Sequence, residues 1–423
     1  MESTHFHPHN VRNLYFGQAV AEHDEGLNNY FLRTSAYWAM VQDDTDIILG
    51  AKGTGKSAIA RYLSTDHANL DGADDLIIIP AFNLQGSALF KRLSDAADAE
   101  YDETAYRELF LAYLIGLIGN HLIRDQRDNP TVASLNSVLT QAGLAVAEPT
   151  TQKVWRRVLA RLRPKLSTKL AFDAVGHPVV SGSVEVTSTT DEAEVAETAP
   201  SISLDALESI LEQVYGCLDT LDMRCWIVFD RLDEAFPDDR DLERVALRGL
   251  LRAHLDACSY GNRLRAKLFL RLDLFDRIIR SDFVNADHLR VSRISWDSDS
   301  IFHLVALRLI DPVKGPAHDR LEQEISTPKG RMALCRSILP RKVDNQDALV
   351  WLLIVTTDAS REYNPRNVLT LLRFARHSAM QIANRDTGLS SQLLTGRRSD
   401  LWIRTAIESQ ARRYTICGEF FCT

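Results

Sequence analysis

The residues Gly50-Ala51-Lys52-Gly53-Thr54-Gly55-Lys56-Ser57 match GxxxxGK[ST] and run directly into the helix-forming Ala58-Ile59-Ala60-Arg61-Tyr62-Leu63. Those residue types at that spacing serve the holding of a polyphosphate. Glycines let successive backbone N–H groups turn inward on an anion, and the helix that follows presents its positive N-terminus to the same point. Lys56 is placed for the β- and γ-phosphates and the Ser57 hydroxyl for Mg²⁺. The expected cradle is Gly50, Ala51, Lys52, Gly53, Thr54, Gly55, Lys56, Ser57 and Ala58, a Walker A loop. The bland alternative, a glycine turn with an incidental Lys-Ser, is disfavoured because an apolar run precedes the loop and a helical pattern follows it.

A second constellation is Trp226-Ile227-Val228-Phe229 leading into Asp230-Arg231-Leu232-Asp233-Glu234, a Walker B pattern. On a strand adjacent to that of the phosphate loop, Asp230 would reach the magnesium shell. Asp233 or Glu234, just beyond, would orient or deprotonate an attacking water. Lys267-Leu268-Phe269-Leu270 ends in Arg271 and Asp273, either of which is placed to sense a γ-phosphate, with a structural salt bridge as the equal alternative. Asn364-Pro365-Arg366-Asn367 reads as a helix start with Asn364 as N-cap. Arg366 in that first turn would contact the nucleotide across a cleft or stand solvated. Arg277 and Arg280 are weaker candidates for an arginine acting in trans.

Elements that can position these residues are legible in the same sequence. Apolar runs rich in Ile, Val, Leu and Phe at Asp46 to Leu49, Leu76 to Pro80, Cys225 to Phe229 and Lys267 to Leu270 predict buried strands of a parallel sheet. Leu289 to Ile294 alternates and predicts a half-exposed fifth. Helical patterns between them argue for βαβ units with right-handed crossovers. The expected fold class is α/β, a three-layer P-loop NTPase sheet with a large helical insertion and a C-terminal all-α domain. The expected parts are 1–80, the N-terminal segment and first half of the ATPase domain; 81–224, a helical insertion; 225–296, the second half; and 297–423, a helical lid. The last is predicted from helices at Ser300 to Ile310, Arg331 to Leu339, Asp347 to Thr356, Pro365 to Ala383 and Asp400 to Arg413.

Within the insertion, TAYRELFLAYLIGLIGNHLI is apolar on nearly every side and predicts a buried helix; its apolar core, Leu109 to Gly119, is too short to span a bilayer. Lys153, Arg156, Arg157, Arg161, Arg163, Lys165 and Lys169 follow, around an apolar face of Val154, Trp155, Val158, Leu159 and Leu162. That amphipathic helix could grip a phosphate backbone, although a solvated face, or pairing with the acidic stretch after it, is the favoured reading. KLAFDAVGHPVVSGSVEV, with Gly176 and Pro178 between two β-prone arms, predicts a hairpin, and 181–202, rich in Ser, Thr and Glu, a flexible acidic loop.

Composition excludes several classes. The chain has 423 residues, 45% hydrophobic and 25% charged, which is ordinary globular usage rather than a disordered or fibrous one. Lys and Arg number 49 against 57 Asp and Glu, a net charge of −8, which argues against wholesale coating of nucleic acid. The six cysteines, Cys217, Cys225, Cys258, Cys335, Cys417 and Cys422, form no CxxC pair, so a reducing cytoplasm without disulfides or structural zinc is expected. His5, His7 and His9 alternate near a terminus that lacks signal-peptide layout, and read as a mobile end rather than a metal site.

Taken together, GAKGTGKS, VFDRLDE, the arginine ending the next strand and the NPRN helix start resemble P-loop ATPases of the AAA+/STAND branch, in particular bacterial ones with a GxKGxGKS loop. FGQAVAEHDEGLNNYFLRTSAYWAM before the loop and ISWDSDS after the fifth strand share that resemblance. It implies an ATPase core binding ATP with Mg²⁺, a helical lid, and switch-like ATP use in signalling or defence. Partners would be a second copy or an effector protein, with nucleic acid less favoured and no membrane. Related proteins carry a small residue after the Walker B aspartate; Arg231 stands there in this chain. That departure keeps open a nucleotide-gated scaffold with little hydrolysis.

Overall fold

The computed structural model describes residues 14–18, 20–65, 75–81, 103–126, 128–166, 171–172, 178–179, 202–234, 240–279, 283, 286–339, 341–343, 345–357 and 362–386. The calls on His5, His7, His9, Arg280, the acidic loop up to residue 201 and the helix at 400–413 lie outside the described residues. The chain divides into two compact units. The first comprises Met1–Trp38, Gly50–Tyr62 and Arg293–Thr423; the second comprises Ala39–Leu49 and Leu63–Ser292.

The fold is α/β, built on a five-stranded parallel sheet. Its strands are β1 (Ile47–Gly50), β2 (Leu76–Pro80), β5 (Arg224–Phe229), β6 (Leu264–Arg271) and β7 (Val291–Arg293), in the order β2-β5-β6-β1-β7. All five runs become strands: the first four are β-rich stretches buried in the core, while β7 is largely exposed, as its alternation predicts. β6 begins three residues ahead of the predicted Lys267, since Leu264 and Ala266 are buried and extend the inward-facing set. The order corrects one expectation. The strand leading to Asp230 is not adjacent to β1, which precedes the 50–57 loop, because β6 lies between them. The parallel register of β5 on β6 runs from Cys225 opposite Leu264 to Phe229 opposite Leu268.

Between β2 and β5 run α3 (Glu103–Asp125), α4 (Pro130–Gln141), α5 (Thr151–Leu166), the short antiparallel pair β3 (Ala171–Phe172) and β4 (Pro178–Val179), and α6 (Leu204–Thr220). The apolar helix stands where the sequence put it; of the hairpin the described residues pair Ala171–Phe172 with Pro178–Val179, so Pro178, expected between the arms, belongs to the second strand. α3 is buried along almost its whole length, packed against α4, α5, α6 and α7 (Arg240–Ser259). Pairs at its edge fix its register on α7: Arg107 holds Asp256 through both guanidinium arms, at 2.5 and 2.8 Å, and Glu103 meets Arg248 and Arg252. On α5, Val154, Trp155, Val158, Leu159 and Leu162 are buried while Lys153 and Arg156 face out. After β6 comes α8 (Leu272–Ile279). No helix among the described residues is long and apolar enough to cross a membrane.

The first unit contains α2 (Lys56–Thr65) up to Tyr62, and the helices α9 (Ser298–Ile310), α10 (Pro316–Ile325), α11 (Pro328–Ile338), α12 (Ala348–Thr356) and α13 (Pro365–Asp386). Leu14 and Phe16 join Ile301, Val305, Leu334, Trp351 and Val368 in its core. α10 was not foreseen, because only Leu321 and Ile325 of its residues are buried and its periodicity is correspondingly faint. In the approach segment, the buried Tyr30 donates to Asp24, and the Arg308 guanidinium lies 4.5 Å over the Tyr30 ring. Phe31 stacks on Tyr62 at 4.1 Å, which ties that segment to α2.

Candidate functional site

The residues between β1 and α2 form a loop whose shape follows from its glycines. Gly53 has φ +90° and Gly55 φ +101°, a region that side chains other than glycine enter at a cost of about 1–2 kcal/mol. Gly53 is doubly required: a Cβ there would lie 2.7 Å from Asn364 Oδ1 and 2.9 Å from Arg366 Cβ.

The loop's consecutive carbonyls are each taken by a donor from the protein. Lys56 Nζ donates to Gly50 O and Ala51 O, both at 2.9 Å, and Thr54 Oγ1 donates to Ala51 O at 2.9 Å. Asn364 Nδ2 donates to Lys52 O at 2.9 Å, the Arg366 backbone N–H to Gly53 O at 3.4 Å, and Trp296 Nε1 to Thr54 O at 2.9 Å. These bonds fix the loop through its carbonyl oxygens, and Gly53 and Gly55 supply the positive-φ backbone that anion-binding nests require. α2 then begins at Lys56, with Ser57 and Ala58 in its first turn.

Asn364 carries two tasks at once. Its Oδ1 accepts from the N–H groups of Arg366, at 3.1 Å, and Asn367, at 3.4 Å, capping α13 as the sequence predicts. Its Nδ2 is the donor that clips the 50–57 loop, a role the motif NPRN did not announce. Trp296 was likewise missed as a loop contact; the available signal was an indole donor one residue ahead of an N-cap, Asp297, which accepts from Ser300 N at 2.7 Å. The Arg366 side chain has its Nε buried without a hydrogen-bond partner among the described residues. An orphaned guanidinium N–H is a group for which an anion is the natural partner.

The carboxylates form a separate constellation in the second unit. β5 ends at Phe229, Asp230 is buried, and Arg231 takes φ +59° before the tight turn Leu232–Glu234. Leu232, fully buried, anchors that turn. Asp233 lies 3.8 Å from Arg271, which also holds Asp273 through two arms at 3.0 and 2.8 Å. Burial works to raise the Asp273 carboxyl, but the Arg271 bond overrides it and holds it below the usual range. Arg271 therefore sits among carboxylates at the C-terminal end of β6. Arg277 is paired with Glu243 at 2.9 Å. The Glu234 side chain lies outside the described residues.

A buried charge network at the base of β1 was not foreseen either. Lys267, with no exposed surface, donates to Thr45 O at 2.8 Å and Asp46 Oδ1 at 3.0 Å, and also to Asp43. Arg290 binds Asp46 through two arms at 2.8 and 2.7 Å. The sequence shows Lys267 only as a charged start to an apolar run.

No protein-family model matches the chain, and no solved structure matches it. Over 306 residues, 70% of its length, the chain is 22% identical to the "Putative transposon gamma-delta 80.3 kDa protein" of Escherichia coli (strain K12). It spans 39% of that relative's length.

Proposed function

We propose that the chain is a P-loop ATPase of the AAA+/STAND kind, with a three-layer P-loop sheet, which binds ATP with Mg²⁺ and couples slow hydrolysis to a conformational or oligomeric switch in the cytoplasm. The observation that carries this reading is the loop at Gly50 to Ser57, whose carbonyls from Gly50 to Thr54 are engaged by Lys56, Thr54, Asn364, Arg366 and Trp296, and whose Gly53 and Gly55 take positive φ. Lys56 and the loop amides hold the β- and γ-phosphates. Ser57 and Asp230 hold Mg²⁺, which when bound neutralises phosphate charge. Asp233 or Glu234 orients or deprotonates the water. Arg366, whose Nε is an orphaned donor beside the loop, reports the nucleotide to the helical domain, and Arg271 balances the carboxylates.

The test is phosphate release by purified protein with ATP and Mg²⁺, wild type against Lys56→Ala, with and without DNA. Turnover that Lys56→Ala abolishes is expected. Folded wild-type protein that binds no ATP by calorimetry would sink the proposal.

A second reading, a nucleotide-gated scaffold with little hydrolysis, is favoured by one observation. Arg231, directly after Asp230, holds a left-handed backbone that glycine would take at no steric cost. Tight ATP binding with no turnover would select it. DNA-stimulated turnover would instead bring in the exposed Lys153 and Arg156 of α5, and the transposon relative gives that arm of the assay its purpose.

A further inference from the structure

At the end of β1 away from the 50–57 loop, a cysteine, a histidine and an aspartate cluster within 4.8 Å of one another. His254 and Cys258 are one helical turn apart on α7, so their side chains share a face. His254 is buried, with Nε2 3.5 Å from Asp46 Oδ2. Cys258 Sγ lies 3.7 Å from His254 Nδ1 and 3.6 Å from Nε2. Asp46 is kept ionised by Lys267 and Arg290, so it is a fixed anion behind the imidazole. Cys217, Cys225 and Cys335 are buried, whereas Cys258 is partly exposed.

The arrangement is that of an activated thiol: a sulfur against an imidazole, the imidazole braced by a carboxylate. We propose that Cys258 is a modification site, a thiolate paired with the His254 imidazolium and open to hydroperoxides and other soft electrophiles. In the peroxide reaction the sulfur attacks one oxygen. The S–O bond forms as the O–O bond breaks, sulfur is oxidised to the sulfenic acid and the peroxide is reduced. The departing hydroxide takes the His254 proton and leaves as water.

The electrostatics point the same way. Burial pushes the imidazolium down, but its bonds to Asp46 and Cys258 override this and hold it up at about 9. Burial pushes the thiol up, but His254 overrides this and brings Cys258 below its ordinary value. The groups facing the sulfur are His254 on its own helix, Asp46 ahead of β1, Arg265 on β6 and the Tyr215 phenol on α6. A divalent cation on the same three residues is disfavoured, because Asp46 already carries two cationic partners.

The experiment uses the full chain with iodoacetamide, in which an S–C bond forms and iodide leaves, each cysteine being quantified by peptide mass spectrometry. An ordinary thiol is about 1% ionised at pH 6.5. Cys258 is expected to label at least about tenfold faster than glutathione there, with a rate nearly flat from pH 6.5 to 8, and to yield a dimedone adduct after peroxide. His254→Gln should restore an ordinary rise of about tenfold per pH unit. A wild-type rate that already rises tenfold per unit overturns the proposal, and does so even if His254→Gln fails to fold. Stoichiometric zinc by metal analysis, with labelling only after chelation, overturns it in favour of a metal site.

Discussion

Asn364 offers the sharpest separation of folding from nucleotide binding, because one side chain caps α13 and clips the loop with different atoms. Asn364→Ala removes both. Loss of an N-cap costs about 1 kcal/mol, and loss of the bond to Lys52 O about another 1 kcal/mol. Together these make about 2 kcal/mol, which in a unit of this size lowers the melting temperature by about 4–8 °C. Asn364→Asp keeps an oxygen for the Arg366 and Asn367 amides, and a carboxylate at a helix N-terminus is favourable. It cannot donate to Lys52 O. Asn364→Asp should therefore melt within about 4 °C of wild type yet bind ATP at least about fivefold more weakly, because about 1 kcal/mol of loop positioning is gone. Thermal unfolding and calorimetry with ATP read the two effects separately. The reasoning fails if Asn364→Asp binds ATP like wild type, or if Asn364→Ala melts within about 1 °C of it.

Other parts of the structure are open to equally direct checks. Trp296→Phe removes the indole donor to Thr54 O and should weaken ATP binding by about three- to tenfold, measured by calorimetry; unchanged affinity would exclude that contact from loop positioning. Lys267→Met removes one cationic donor from Asp43 and Asp46, leaving Arg290 as their shared partner, and should destabilise the protein by about 1.5–3 kcal/mol in denaturant unfolding; a loss under about 1 kcal/mol would contradict the network. His254 is raised in the folded state, so its contribution is complete below the unfolded value of about 6.5 and disappears as pH climbs through about 9. The melting temperature should fall across that window, and His254→Gln should flatten the fall. Asp46 is depressed despite its burial, by His254, Arg290 and Lys267. Its contribution is present above about pH 4 and is lost in acid, so Asp46→Asn should reduce the acid sensitivity of unfolding.

The sequence was readable wherever a signal was local. The phosphate loop, the strand ending in Asp230, the apolar α3 and the cap at Asn364 each rest on neighbours within a few residues, and period and residue type suffice for those. What was illegible depends on residues far apart along the chain. β6 enters between β1 and the Asp230 strand because of sheet pairing that no motif encodes. Asn364 reaches Lys52 across 312 positions, and Lys267 reaches Asp46 across 221. The charge on Lys267 stands inside an apolar run, and only the fold supplies its partners. α10 escaped because two buried residues in ten leave the 3.6-residue period too weak to see.

The three-piece make-up of the first unit sets an order in time. The loop residues leave the ribosome early together with their local donors Thr54 and Lys56, but the donors to the carbonyls of Lys52, Gly53 and Thr54 come last: Trp296, then Asn364 and Arg366. At about 5–20 residues per second, the interval between Lys52 and Asn364 is about 15–60 s. Through that interval a nascent chain carries the glycines without the distant donors to Lys52, Gly53 and Thr54. Under the proposed function, competence to hold a polyphosphate is acquired near the end of synthesis, and a chain halted before residue 364 should be translated through its motif yet remain blind to nucleotide.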